Sequence, residues 1–181
     1  MRKGRGMDME EHLEVVNEHG EVVGIARRSA IHGDPSLMHR VVHVLVFNAN
    51  DELLLQKRSL NKDVAPGKWD TSVGGHVGVG ETLLCSAGRE MEEELGITGC
   101  EMEYLYSYVH SNLYETELVT TYRCVYEGLI TAIAFNREEI DEIRFWGIDA
   151  IRHAMGKQIL SDHFEDEYRK YLGHTPLRSG P

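Results

Sequence analysis

The stretch from Thr82 to Gly96 constrains this chain most, because it reads as one long helix set between two β-rich halves. Leu84, Ala87, Met91 and Leu95 recur at steps of three, four and four, which aligns them as one buried stripe at about 100° per residue. Thr82 can cap the start, and Gly96 stands where a helix ends with positive φ. A helix with one apolar stripe must lie on a surface, and the flanking segments supply it. Glu14 to Ile25 puts two β-rich runs either side of Glu18-His19-Gly20-Glu21, a hairpin pattern. Val41 to Phe47 and Leu53 to Lys57 form a strand pair around Asn48-Ala49-Asn50-Asp51. Trp69 to Val73 reads as a strand leading into Gly74-Gly75, and Tyr104 to Val109, Val119 to Tyr126 and Ile143 to Trp146 read as further strands. Ser29 to Met38 and Ser59 to Lys68 are loops, while Ile148 to Met155 and His163 to Leu172 are helical. Strands, one long helix, more strands and terminal helices predict an α/β fold, a mixed sheet with helices packed on it.

Size and charge narrow the function. With 181 residues, 41% hydrophobic, the chain fits one domain. Thirty acids against 19 bases leave a formal charge of −11, which disfavours a nucleic-acid partner. An acidic protein that handles phosphates has to recruit cations. The longest apolar stretch, Val41 to Phe47, falls far short of the ~18 residues of a membrane span, so no membrane partner is expected. The first residues, basic and then acidic, read as neither a secretory signal nor a lipidation site. Cys85, Cys100 and Cys124 are odd in number and lack CxxC spacing, which argues against a disulfide framework and a thiolate zinc site. A cytoplasmic location is the expectation, with Cys85 a small buried hydrophobe on the helix.

The chemistry concentrates on the helix and the glycines before it. Glu90, Glu93 and Glu94 are related by i, i+3 and i+4, so their carboxylates project from one side, away from the apolar stripe. Like charges at that spacing repel unless a divalent cation binds them. Arg89 can pair with Glu93 across one turn. Gly74-Gly75 lets backbone approach a ligand, and the Gly75 carbonyl can supply one more oxygen. A solvated acidic face is the bland alternative, but the spacing of Gly75, Glu81, Arg89, Glu90, Met91, Glu93, Glu94, Gly96 and Ile97 has a chance probability on the order of one in a million.

Through these positions the sequence resembles the Nudix superfamily, and every fixed position of the Nudix box is filled. The resemblance implies an α/β/α sandwich that hydrolyses a nucleoside diphosphate derivative or similar small-molecule diphosphate, with Mg²⁺ or Mn²⁺ as cofactor. It implies Glu90, Glu93 and Glu94 as metal ligands beside Gly75, one of them activating water, with Arg89 orienting a glutamate and Glu81 pairing with Arg89. The domain expected on this basis spans residues 11–172, between flexible tails at 1–10 and 173–181.

Leu53 to Val77 further resembles the isopentenyl diphosphate isomerases, a branch of the same superfamily, and the likeness extends weakly from about Leu13 to Trp146. In that branch histidines hold a metal, and His32, His39 and His76 correspond. Glu139 lies where the branch has a catalytic glutamate, and Arg58 and Lys62 fall in a pattern shared with it. Arg58, Lys62, His39 and His76 are thus candidates for substrate contact. The isomerases place an acid/base cysteine before Gly75, where this chain has Gly74, and they carry a degraded box whereas this one is intact. The reading is therefore a hydrolase of the isomerase-like group, with an isomerase and a binding module that lost its chemistry as the alternatives. A homodimer stays open, since related enzymes often pair and an acidic surface neither requires nor forbids it.

Overall fold

The computed structural model describes residues 10–174. The expected tails lie outside the described residues at 1–9 and 175–181. Glu10 is tied down, its carboxylate accepting from the Ser29 N–H at 3.0 Å.

The hairpin forms as its pattern requires: β1 (His12–Val16) and β2 (Val22–Arg27) pair antiparallel. Gly20 takes φ 76° in the turn, and the Asn17 side chain accepts from the His19 and Glu21 N–H groups. A four-residue helix, α1 (Arg28–Ile31), opens the segment expected to be a loop. Next comes β3 (Met38–Phe47), the axis of the sheet. Along its whole length β3 runs parallel to β8 (Thr116–Val125), and on its other side it meets β6 (Val73–His76) antiparallel. β4 (Leu53–Arg58) pairs with β5 (Trp69–Asp70) and with β9 (Ile140–Trp146), while β7 (Glu103–Ser111) closes a hairpin with β8. The single strand expected from Trp69 is two, because the chain changes neighbour from β4 to β3 at Thr71-Ser72. There Ser72 Oγ accepts from Val46 N and donates to the Leu54 carbonyl.

From Val41 to Phe47 β3 is buried on both faces, the pattern of a strand covered above and below. Val42, Val44 and Val46 pack under α2 (Leu83–Leu95) with Ala87, Met91 and Leu95. Leu45 and Phe47 join Leu53, Leu55 and Trp69 on the other face, beneath α3 (Ile148–Ala154) and α4 (Asp162–His174), which bring Ile151, Phe164 and Tyr168. The architecture is the expected α/β/α sandwich with a mixed sheet. α4 continues through Gly173 to His174, beyond the expected domain end.

Two expectations on α2 fail. Leu84 has the phase of the stripe yet is exposed. It sits in the first turn, where it borders a groove of about 530 Å³ shared with Met91, Ile97 and Met102 instead of entering the core. Cys85, expected to be buried, faces solvent. Among the described residues no helix is long and apolar enough to cross a membrane.

Candidate functional site

Thr82 caps α2 by accepting from Cys85 N at 3.2 Å, and Gly96 ends it in the left-handed region at φ 65°. These local stops fix the phase of the helix and hence the direction of its acids. Arg89 organises them. Its Nε and Nη2 donate to Glu81 at 3.0 and 2.9 Å, its Nη1 to Glu90 at 2.7 Å and Glu93 at 3.2 Å, and its Nη2 also to the His76 carbonyl. Glu81 in turn accepts from Ser86 Oγ and Gly78 N. Hydrogen bonds from Arg89, then from Ser86, hold the Glu81 carboxyl at about 2, so it remains a carboxylate at any physiological pH.

Gly75 serves this cluster in a way the sequence did not suggest. A Cβ there would lie 2.1 Å from the Glu90 carboxyl carbon, so the group that comes close to the Gly75 backbone is the Glu90 carboxylate itself. Gly75→Ala is expected to push that carboxylate aside and cost over tenfold in turnover with little change in melting temperature, because a flexible side-chain end yields more easily than backbone. An active Gly75→Ala protein would mean that the Glu90 position is unimportant.

Glu94 does not share a solvated face with Glu93. It is buried at the flank of the apolar stripe, where it accepts from Gln56 Nε2 at 2.8 Å. Burial, followed by the nearby Glu90 charge, pushes its carboxyl up to about 8, and Glu139 adds to the effect. Burial also raises Glu90, against the opposing pull of Arg89. Glu139 enters from the segment before β9 and pairs with Lys62 Nζ at 2.8 Å. Main-chain bonds from Ser59 N to Glu139 O and from Asn136 N to Glu94 O bind the two loops to the helix. Thus Glu90, Glu93, Glu94, Glu139, Lys62 and Arg89 come together, and Gln56 joins them unforeseen. Arg58 is engaged by Asp70 at 3.2 Å and by the Val64 carbonyl at 2.8 Å. An all-oxygen donor set with more carboxylates than cations fits a hard ion such as Mg²⁺.

A second cluster of different chemistry lies nearby. His32, His39 and His76 converge from the C-terminal cap of α1, from β3 and from β6, with ring centroids 5.1–5.5 Å apart. One nitrogen of each lies within 4.8 Å of the others, and His39 forms a similar set with Glu115 and Glu117. His39 is fully buried, neither ring nitrogen has a hydrogen-bond partner, and burial pushes its pKa down to about 4. It is therefore a neutral imidazole with its nitrogens unsatisfied, the form in which histidine binds metal. Glu115 and Glu117 escaped the sequence reading because the strand was begun at Val119. Its true start at Thr116 sets Glu117 beside His39 in the parallel register, and the i, i+2 alternation was the available signal.

Beneath α4, Glu167 is completely buried and accepts from Tyr106 Oη at 2.5 Å, Tyr108 Oη and His43 Nδ1 at 2.7 Å, and Thr121 Oγ1 at 3.1 Å. His163, also on α4, bonds to Glu117 at 2.7 Å. None of this was visible beforehand.

A mixed sheet between helices, with the Glu90 carboxylate of its acidic helix seated against Gly75, defines an α/β/α class in which the carboxylate cluster is the distinctive feature. The NUDIX domain model matches residues 37–166, and an uncharacterised Nudix hydrolase of Yersinia pestis is 34% identical over 138 residues, 74% of this chain and 71% of its own. The chain belongs to the NUDIX family. An isopentenyl-diphosphate Delta-isomerase of Streptomyces avermitilis is 40% identical over 86 residues, 48% of this chain and 44% of its own. Among solved structures, the Deinococcus radiodurans protein DR0079 superposes with a TM-score of 0.73 at 26% identity, over 88% of this chain and 98% of that one. The chain spans about half the length, or less, of several curated relatives it matches.

Proposed function

We propose that the chain is a Mg²⁺-dependent hydrolase that cleaves the diphosphate linkage of a nucleoside diphosphate derivative or a similar small diphosphate. The observation that carries this reading is the buried Glu94 carboxyl, crowded by Glu90 and Glu139 and held by one neutral amide from Gln56. Such a group is costly unless a cation joins it. Glu90, Glu93 and Glu94, with the Gly75 carbonyl, would hold Mg²⁺ or, alternatively, Mn²⁺. The bound ion would neutralise diphosphate oxygens and ease deprotonation of water. Arg89 fixes the rotamers of Glu90 and Glu93, and Glu81 fixes Arg89. Glu139 stands ready to take the proton of the attacking water, with Lys62 holding its carboxylate in place. Lys62 also offers a positive charge to the substrate phosphates, as Arg58 would on leaving Asp70. The free thiols of Cys85, Cys100 and Cys124 fit a reducing, cytoplasmic setting.

The isomerase alternative draws on the histidine cluster and on the isomerase relative. Against it stands Gly74, where an added Cβ would lie 3.1 Å from the His43 ring, itself held by Glu167. Glycine itself supplies no titratable group, and a side chain at position 74 would require the His43 ring to give by a few tenths of an ångström. A panel of diphosphate compounds assayed with Mg²⁺ and with Mn²⁺ should yield phosphate or a nucleoside monophosphate, and isopentenyl diphosphate incubated in D₂O should gain no deuterium. Thermal stabilisation by these compounds without any product would instead identify a binding module.

For the histidine set we propose a separate transition-metal centre, since mixed imidazole and carboxylate donors suit Mn²⁺ or Zn²⁺ better than Mg²⁺. His32, His39, His76, Glu115 and Glu117 would hold it. Elemental analysis after equilibration with Zn²⁺ in an excess of Mg²⁺ is expected to find about one zinc per chain, lost in His39→Asn. Equal metal content in both proteins would remove the assignment.

A further inference from the structure

The acids around α2 are not treated alike. Glu81, Glu90 and Glu93 each accept from Arg89, at 2.9, 2.7 and 3.2 Å, and Glu139 accepts from Lys62 Nζ at 2.8 Å. Glu94 is the exception. Among the described residues its carboxylate makes no ion pair, and its hydrogen-bond partner is the uncharged Gln56, whose Nε2 donates to Oε2 at 2.8 Å. The most buried acid of the set is thus the one left without a cation. The placement of Gln56 is firm. Alternation along β4 sends it to the same face as Leu54, which lies in the core beneath α2. Its backbone stands between Asp70 of β5 and Ile143 of β9, and its side chain is buried. Cations stand next to it in the chain, yet none is used: the pleat turns Lys57 to the opposite face, and Arg58 is engaged by Asp70 and the Val64 carbonyl. A buried carboxylate with a purely structural task is best served by a charged partner, whose hydrogen bonds are about twice as strong as those of a neutral donor.

We propose that Gln56 is a positioning residue that keeps Glu94 open to a cation. Its amide N–H fixes Oε2 of the carboxylate, while Oε1 carries no hydrogen bond among the described residues. An amide satisfies a lone pair without supplying charge, so the negative charge of Glu94 stays uncompensated until an ion arrives. A lysine or arginine at position 56 would close that vacancy permanently, and an apolar residue would leave the carboxylate without orientation. This role rests on the reading that the cluster holds Mg²⁺, and it makes the strand beneath the helix part of the ion's site. Partners of this kind, one step behind the ligands, typically change metal affinity 10- to 100-fold when removed.

Two variants of the full chain test it, Gln56→Met, which keeps the volume and removes the donor, and Gln56→Lys, which keeps a donor and adds charge. Titration calorimetry with Mg²⁺ is expected to show affinity lowered at least tenfold in both. In the metal-free proteins Gln56→Lys should melt above Gln56→Met, because its ammonium supplies the missing charge. Circular dichroism checks the fold of each, and if Gln56→Lys does not fold, the Mg²⁺ affinity of Gln56→Met decides. A merely structural amide would lower the melting temperature of Gln56→Met and leave Mg²⁺ affinity at the wild-type value, which overturns the proposal. So does a metal-free Gln56→Lys protein that folds but melts below Gln56→Met. A wild-type chain that takes up no Mg²⁺ overturns the reading of the whole cluster, and the role of Gln56 with it, whereas wild-type binding that both variants retain removes the role of Gln56 alone.

Discussion

Glu94→Gln is expected to lower turnover on the best substrate well over tenfold while leaving the fold intact. The side chain keeps its volume and can still meet an amide at Gln56, so packing against Met91 and Leu95 should survive. What disappears is the negative oxygen at the most buried of the acids. The same carboxyl makes metal binding depend on pH in a defined direction. Burial and the Glu90 charge raise it from 4.5 to about 8, so below pH 8 the metal-free protein holds a proton there that the cation must displace. In the metal-free protein ionisation of this group opposes folding, and stability should fall as pH rises from the ordinary carboxylate range through about 8. Mg²⁺ held there, as proposed, would relieve that penalty. Calorimetry in buffers of different ionisation enthalpy should therefore show proton release on Mg²⁺ binding well below pH 8 and little above it, and the gain in melting temperature from Mg²⁺ should grow with pH. A fully active Glu94→Gln protein would end the proposal that this acid holds the cation.

The largest expected effect on stability lies on the opposite face of the sheet. Glu167→Gln should cost about 3 kcal/mol, lowering the melting temperature by roughly 6–12 °C for a chain of this size. Burial by itself would raise the Glu167 carboxyl, but hydrogen bonds from His43, Tyr106 and Tyr108 outweigh it and hold the group at about 2. A pKa depressed from 4.5 stabilises the fold at neutral pH, and that contribution is lost as pH falls from about 4.5 toward 2. The glutamine amide would direct its own hydrogens at groups that already donate, leaving one or more unpaired. Urea unfolding at neutral pH should give a lower midpoint at unchanged slope, and the difference from the wild type should shrink in acid. Equal midpoints would show that Glu167 does not hold α4 to the sheet.

What could be read beforehand divides by the range of the interaction. The α2 stripe, its Thr82 and Gly96 stops and the set of acids follow from helical periodicity and from residues within one or two turns. The Arg89 pair with Glu93 belongs to the same local order, whereas its pair with Glu81 was expected only from the family resemblance. Errors appear where a neighbour distant in the chain decides the outcome. Leu84 is exposed because the 97–102 segment leaves a groove beside it, and the strand from Trp69 breaks because β3 and β4 compete for it. Gly75, expected to bring its own backbone close to a ligand, also seats the Glu90 carboxylate, a contact that sequence spacing alone does not reveal. Glu117 was missed because the strand was begun three residues too late.

From the sequence alone came an acidic chain with carboxylates gathered on one helix beside glycines, and the family resemblance that their spacing carries. Such a cluster depends on the angle between successive residues of a helix, which every helix shares. Only the tertiary structure decided which carboxylates are desolvated, that Gln56 attends Glu94, that three histidines meet two glutamates, and that Glu167 lies under four donors. Burial is a property of the assembled layers. Partners such as His43 and Glu167, 124 residues apart, acquire a distance, and hence an energy, only when the sheet and α4 close together.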